Sequence, residues 1–163
     1  MRTLKHAITA FAVMVASFGA VTIVGTAPAQ ARTYANTVEA YIIKYTNQER
    51  IERNLRTVNT RPCLDGLSEG WAGHLARRNS FKHRDLATVM NTCGLNYASE
   101  NLALYPVTRG MTANRVAKKT VQMWMESSAH RANVLSSQPR LIGMGVRKTA
   151  DGRYWVAVQN FGR

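Results

Sequence analysis

Acidic residues are scarce in this chain: nine Asp and Glu stand against 22 Lys and Arg in 163 residues, a formal charge of +13. So few carboxylates cannot neutralise the surface from within, which points to anionic surroundings: wall polymers, phospholipid headgroups or a nucleic acid, held by a field that salt screens. The same excess also serves plain solubility. Basic residues run from Arg50 to Arg163 with no cluster longer than pairs such as Arg77-Arg78 and Lys118-Lys119, so a nucleic-acid-binding stripe or motif is lacking. Cysteine is nearly absent. Cys63 and Cys93 form no C-x-x-C pair, which argues against a redox site, and an even count in an exported chain favours a structural disulfide closing a loop of about 30 residues. There is no repeat, no low-complexity tract and no interdomain linker, so one domain with one core is expected. H-E-x-x-H is missing, and so is G-x-S-x-G, which removes the usual signatures of a zinc peptidase and a serine hydrolase.

Long apolar runs are also missing, with one exception. Arg2, Lys5 and His6 precede an apolar stretch from Ala7 to Val24, and Thr26-Ala27-Pro28-Ala29-Gln30-Ala31 follows it. A charged flank, an apolar centre and an Ala-x-Ala ending make a signal peptide, residues 1–31, with cleavage after Ala31. An amino-terminal membrane anchor is the alternative, since the run approaches the ~20 residues that span a bilayer. Thr9, Ser17, Gly19, Thr22 and the small-residue processing site favour cleavage. Residues 32–163 then form the secreted domain, extracellular or associated with the cell surface, carrying 20 of the Lys and Arg and all nine acids.

Within that domain, Val38, Tyr41, Ile42, Tyr45, Ile51 and Leu55 recur at helical spacing and predict a helix over 37–54. Asp65 is placed to cap a second helix with Leu67, Trp71, Leu75 and Ala76 on its apolar face, running to about Asn79. A third is expected over 113–125, with Val116, Thr120, Met123 and Trp124 inward, and a short fourth from Ser127 or Ser128 through His130 to Leu135, stopped before Pro139. The period then changes to strands over 141–147 and 154–161, joined by Ala150-Asp151-Gly152 as a carboxyl-terminal β-hairpin. Helices first and strands last predict an α+β fold with helices covering a sheet.

Six segments in this order resemble the CAP superfamily of cysteine-rich secretory, antigen 5 and pathogenesis-related 1 proteins. They are Asn47-Gln48-Glu49-Arg50, Ser80-Phe81-Lys82-His83, Glu100-Asn101-Leu102-Ala103, Trp124 through Leu135 with its His130-Arg131-Ala132-Asn133 turn, Ile142-Gly143-Met144-Gly145-Val146, and Tyr154 through Gly162. The resemblance, to the bacterial single-domain form, implies a three-layer α-β-α sandwich with a central cleft. It also implies a binding or scaffold module for lipids, ions or proteins more than an enzyme.

The family's cleft pattern has two histidines and two glutamates, and His83, Glu100 and His130 fall on three of those positions. Imidazole nitrogens with a carboxylate oxygen suit Zn2+ or another divalent cation and leave room for water; a metal-dependent hydrolase using the same cleft is the alternative function. The fourth position departs from the pattern. Ser127 stands there, and Glu126 is one residue early, turned by about 100° on a helix. Structural readings remain open beside these: Glu100 holding its loop by backbone hydrogen bonds, His83 and His130 as a satisfied polar pair, Glu126 and His130 as an i,i+4 pair. His74 is expected to be a packed or surface helix residue, and Trp71, Trp124 and Trp155 core anchors. No catalytic nucleophile can be named. The expected partner is an anionic envelope component, a lipid or a protein, with no specific nucleic acid.

Overall fold

The protein was analysed as a computed structural model, and the structure describes residues 29–163. The expected signal segment lies outside the described residues except for its last three, which open the first helix. Five helices and four strands follow in the order α1 (Ala29–Ile51), β1 (Asn59–Thr60), α2 (Pro62–Arg78), α3 (Leu86–Cys93), β2 (Ala98–Pro106), α4 (Ala113–Glu126), α5 (Ser128–Val134), β3 (Leu141–Lys148) and β4 (Tyr154–Gly162).

Helix α1 starts eight residues before the expected position. Nothing between Ala29 and Asn36 breaks a helix, and the apolar stripe continues through Ala35, which is buried, and Tyr34, whose ring stacks on Trp155 at 5.4 Å. The helix stops at Ile51 rather than Asn54, because Asn54 turns to a left-handed φ of 57°. Asp65 does not cap α2. Pro62, which has no N–H to satisfy, opens that helix after Arg61, while the Asp65 carboxylate sits inside the first turn and accepts the N–H of Met144 at 3.1 Å. Helix α3 escaped the sequence pattern because it is only eight residues long; Asp85 caps it by accepting the N–H groups of Ala87 and Thr88. In α4, Val116, Thr120 and Trp124 point inward as expected, but Met123 is 39% exposed. It lies about 100° around the helix from Trp124 and off the apolar stripe.

The sheet order is β1-β3-β4-β2, with β3·β4 and β4·β2 antiparallel and β1 parallel to β3. The expected hairpin is present. On one face α1, α4 and α5 bury Val38, Ile42, Val121, Trp124 and Val134 against Ala103, Ala157 and Phe161. On the other, Ala72, Leu75 and Ala76 of α2 pack on Leu102, Val156 and Val158. The result is the α+β fold in three layers. Layer spacing is set by two glycines: a Cβ on Gly143 would stand 2.3 Å from the Leu64 carbonyl carbon, and one on Gly145 2.3 Å from the Ser68 oxygen, so α2 lies directly on the backbone of β3.

Both edges of the sheet are sealed by side chains. Beyond the short β1, the outer N–H groups of Met144 and Val146 on β3 go to Asp65 and to Glu39, the latter at 2.6 Å. On β2 the outer carbonyls of Glu100 and Leu102 accept from Asn133 at 3.1 Å and from the Trp124 indole at 2.9 Å. Such capping shortens the open ladder along each edge.

Cys63, in the first turn of α2, is bonded to Cys93 at the end of α3, with Cα atoms 5.8 Å apart. Closing a loop of 30 residues restricts the unfolded chain by about 3 to 4 kcal/mol. Reduction should therefore lower the melting temperature by on the order of 10 °C, as calorimetry with and without a thiol reductant would show; an unchanged melt would contradict the stabilising role.

Candidate functional site

Strand β2 alternates, and its alternation builds the site. Glu100 and Leu102 face α2, while Asn101 and Ala103 face the α1, α4 and α5 layer, as their packing partners show. The Glu100 side chain is 1% exposed. Its Oε1 receives Nδ1 of His83 at 2.8 Å and the backbone N–H of Arg84 at 3.2 Å, whereas its Oε2 is buried with no hydrogen-bond partner. Burial pushes the Glu100 carboxyl above its ordinary range, against the opposing pull of the His83 and Arg84 hydrogen bonds.

His83 sits in the turn between α2 and α3, and its side chain is 59% exposed. The turn is pinned on both sides of it. The Trp71 indole donates to the Lys82 carbonyl at 3.2 Å, Arg84 donates to the Leu67 carbonyl at 3.2 Å, and the Arg84 guanidinium lies 5.5 Å from the centre of the Trp71 ring. His74 stacks on the same indole at 4.7 Å, so Trp71 anchors the turn, and His74 is a helix-surface residue packed on it.

His130 reaches the site from α5. Its Nδ1 is buried without a hydrogen-bond partner. Burial, and secondarily the neighbouring His83, lower its pKa. The backbone at His130 is held by amides: Asn101 Nδ2 donates to the His130 carbonyl at 3.3 Å and to Gln159 Oε1 at 3.0 Å. Asn133 Nδ2 donates to Asn101 Oδ1 at 2.9 Å as well as to the Glu100 carbonyl, and Gln159 donates to Thr46 Oγ1 at 3.0 Å. This network escaped the reading of the sequence, although Asn101 and Asn133 stand in quoted motifs beside Glu100 and His130.

His83 and Glu100 are thus directly paired, and His130 lies close enough for His83 to act on it electrostatically. Glu126 does not join them: it ends α4, is exposed, and accepts from Gln122 at 3.0 Å instead of pairing with His130. Asn47 and Arg50 have structural work. Asn47 exchanges two hydrogen bonds with the backbone of Val58, and the fully buried Arg50 donates to the carbonyls of Arg56, Val134 and Ser136.

His83 Nδ1 is engaged by Glu100, and Glu100 Oε2 and His130 Nδ1 are buried without a hydrogen-bond partner. Among the described residues no group of three or more His, Cys, Asp or Glu side chains is arranged to hold a metal ion. The cluster as folded does not fit the three-protein-ligand pattern of a zinc site.

Comparison with known proteins agrees with the fold. The family model described as the cysteine-rich secretory protein family, CAP, matches residues 43–161. YkwD, an uncharacterized protein of Bacillus subtilis (strain 168), is 25% identical over 130 residues, which are 74% of this chain and 47% of YkwD; the chain thus spans about half the length of that curated relative. A solved extracellular protein containing an SCP domain, from Bacillus anthracis, superposes with a TM-score of 0.66 at 24% identity, over 85% of this chain and 44% of the other. An outer surface protein of Borrelia burgdorferi gives 0.64 at 20% identity, over 77% and 92%. At these identities the solved structures bear on the fold alone. Among the described residues no helix is long and apolar enough to cross a membrane.

The pKa direction at His130 yields a test. A histidine whose folded pKa is lowered contributes stability that is intact above the unfolded value of ~6.5 and is lost as pH falls toward the lowered value. An NMR titration of the imidazole should give a midpoint below ~6.5 for His130, and the midpoint should rise in His83→Ala, which removes the neighbouring charge. A midpoint at or above the ordinary value, or one indifferent to His83→Ala, would contradict the geometry.

Proposed function

Because the chain belongs to the cysteine-rich secretory protein family, we propose that it works outside the cytoplasm as a non-catalytic binding module that holds an anionic component of the cell envelope. The disposition of its charges carries this reading. Each of the nine carboxylates is engaged within the domain: Glu39 and Asp65 on β3, Glu69 with Arg147, Glu49 and Glu52 with Arg53, Asp85 at its helix cap, Glu100 with His83, Glu126 with Gln122 and Asp151 with Arg153. Of the 20 Lys and Arg after residue 31, only Arg53, Arg147 and Arg153 pair with a carboxylate among the described residues. The buried Arg50 is taken up by backbone carbonyls and Arg84 lies against Trp71; most of the other cations have no carboxylate partner in the fold and are available to phosphate or carboxylate groups of a partner.

The side chains around Glu100 favour binding over catalysis. A His83 and Glu100 pair could move a proton. Among the described residues, however, neither His83 nor His130 is hydrogen-bonded to a serine, threonine or cysteine, the arrangement that activates a nucleophile.

Cosedimentation of the protein with purified wall sacculi and, separately, with vesicles containing anionic phospholipid tests this. Binding should occur at low salt, fall steeply as salt rises, and persist in His83→Ala and His130→Ala. Sacculi alone would identify a wall polymer and vesicles alone a lipid headgroup; binding to neither would overturn the proposal. A calorimetric zinc titration near neutral pH should show no one-to-one binding. One-to-one binding abolished by both histidine variants would instead favour metal-assisted hydrolysis in the cleft.

A further inference from the structure

Three of the five large apolar side chains that the described surface exposes, Phe81 at 50%, Leu104 at 41% and Tyr154 at 37%, converge on one small cavity. Its volume is ≈170 Å³, below the ~300–1,000 Å³ of pockets that enclose a drug-sized molecule, so it admits one small unit. Its apolar lining combines the buried Leu75 and Val156 with the exposed Leu104, Phe81 and Tyr154. The rim is polar. Asp151 is fixed there by Thr149 Oγ1 at 2.6 Å and by Arg153 Nε at 2.7 Å, and the side chains of Asn79 and Ser80 line the cavity while making no hydrogen bond within the fold.

We propose that this cavity is a saccharide subsite that takes one pyranose ring of an envelope glycan. A pyranose has the same two-sided chemistry: C–H groups on its faces suit aromatic walls, and hydroxyls around its edge suit an Asp, an Arg and free Asn and Ser side chains. An acyl chain would fit poorly, since it would strip water from the Asp151 and Arg153 pair and from Asn79 and Ser80 without returning a hydrogen bond. The aromatics concerned are not the tryptophans. Trp71 carries His74 and Arg84 against its ring, and Trp124 and Trp155 are buried, whereas Phe81 and Tyr154 are exposed.

The position connects the subsite to the cleft. Phe81 lies two residues before His83 in the same turn, and Leu104 lies four residues after Glu100 on the same face of β2, about 13 Å along the strand. A glycan of a few units could therefore extend from the cavity along this turn to the exposed imidazole of His83. This inference rests on the reading of the chain as an envelope-binding module and adds what the module recognises.

The test is a titration of the isotope-labelled protein with the β-1,4-linked tetramers of glucose and of N-acetylglucosamine, followed by backbone amide shifts. Shifts centred on Ser80, Phe81, Leu104 and Tyr154 are expected. Phe81→Ala and Tyr154→Ala should each weaken binding about 3- to 10-fold, with unchanged melting temperatures because both side chains are exposed, and His83→Ala should leave the shifts at the cavity in place. Response to the N-acetylated tetramer alone would show that the acetamide is read, and response to both that the ring is enough. No shifts with either sugar, or shifts indifferent to both aromatic substitutions, would overturn the subsite. Salt-sensitive sedimentation with sacculi or vesicles that survives in Phe81→Ala and Tyr154→Ala would in that case leave the envelope-binding reading standing.

Discussion

Three amides, of which Asn101 and Gln159 are fully buried and Asn133 half-buried, hold the site together. Asn101, Asn133 and Gln159 link β2, β4, α1 and α5 through a continuous set of hydrogen bonds, and Asn133 and Asn101 also take the backbone carbonyls of Glu100 and His130. Such groups cannot be left unpaired cheaply, since each orphaned buried donor or acceptor costs about 1–3 kcal/mol. The two-residue alternation of β2 decides the rest. With Asn101 committed to the network on one face, Glu100 is presented on the other, beside the turn that carries His83. Helix α5 is short, seven residues, and has little apolar surface of its own. Its place against the sheet edge, and so the place of His130, follows from what Asn133 and the His130 carbonyl bond to.

The same economy of polar groups links the architecture to the surface. A four-stranded open sheet has two edges, and here side chains rather than further strands close them. Glu39 and Asp65 serve as backbone acceptors on β3, at the expense of burying carboxylates; burial pushes Glu39 up to about 7 and raises Asp65 as well. Other acids cap α3, brace the β3–β4 turn at Asp151, or pair with an arginine. With the few carboxylates spent on architecture, the cationic excess is left facing outward. The basic character that dominates the sequence is thus not offset by internal ion pairing.

Much of the fold was legible because long periodic segments report themselves. The α1 stripe through Val38 and Ile42, the apolar face of α2 and the strands β3 and β4 lie where spacing put them, and the even pair of cysteines is bonded, but Ile51, expected on that stripe, ends α1 and is 59% exposed. Short elements were not legible: β1 has two residues and α3 eight, too few to show a period. Asp65 misled because a carboxylate near the start of a helix looks like a cap, and only the tertiary fold supplies the competing N–H of Met144. Met123 misled for a similar reason, as an apolar residue beside the stripe is indistinguishable by composition from one within it. At the site, motif order singled out His83, Glu100 and His130, and it set Ser127 and Glu126 apart from the family pattern. The amide network needed the structure, because its members are separated by up to 113 residues along the chain.

The most direct measurement is the titration of His130 in Asn133→Ala protein, alongside its melting curve. If the amides place the site, losing Asn133 frees α5 from the edge of β2, lowers the melting temperature and returns the His130 midpoint toward ~6.5, while the pairing of His83 with Glu100 persists. A His130 midpoint identical to that of the unaltered protein would mean that α5 is held by its apolar contacts and by the Arg50 hydrogen bonds at its end, and that the amides are incidental to the site.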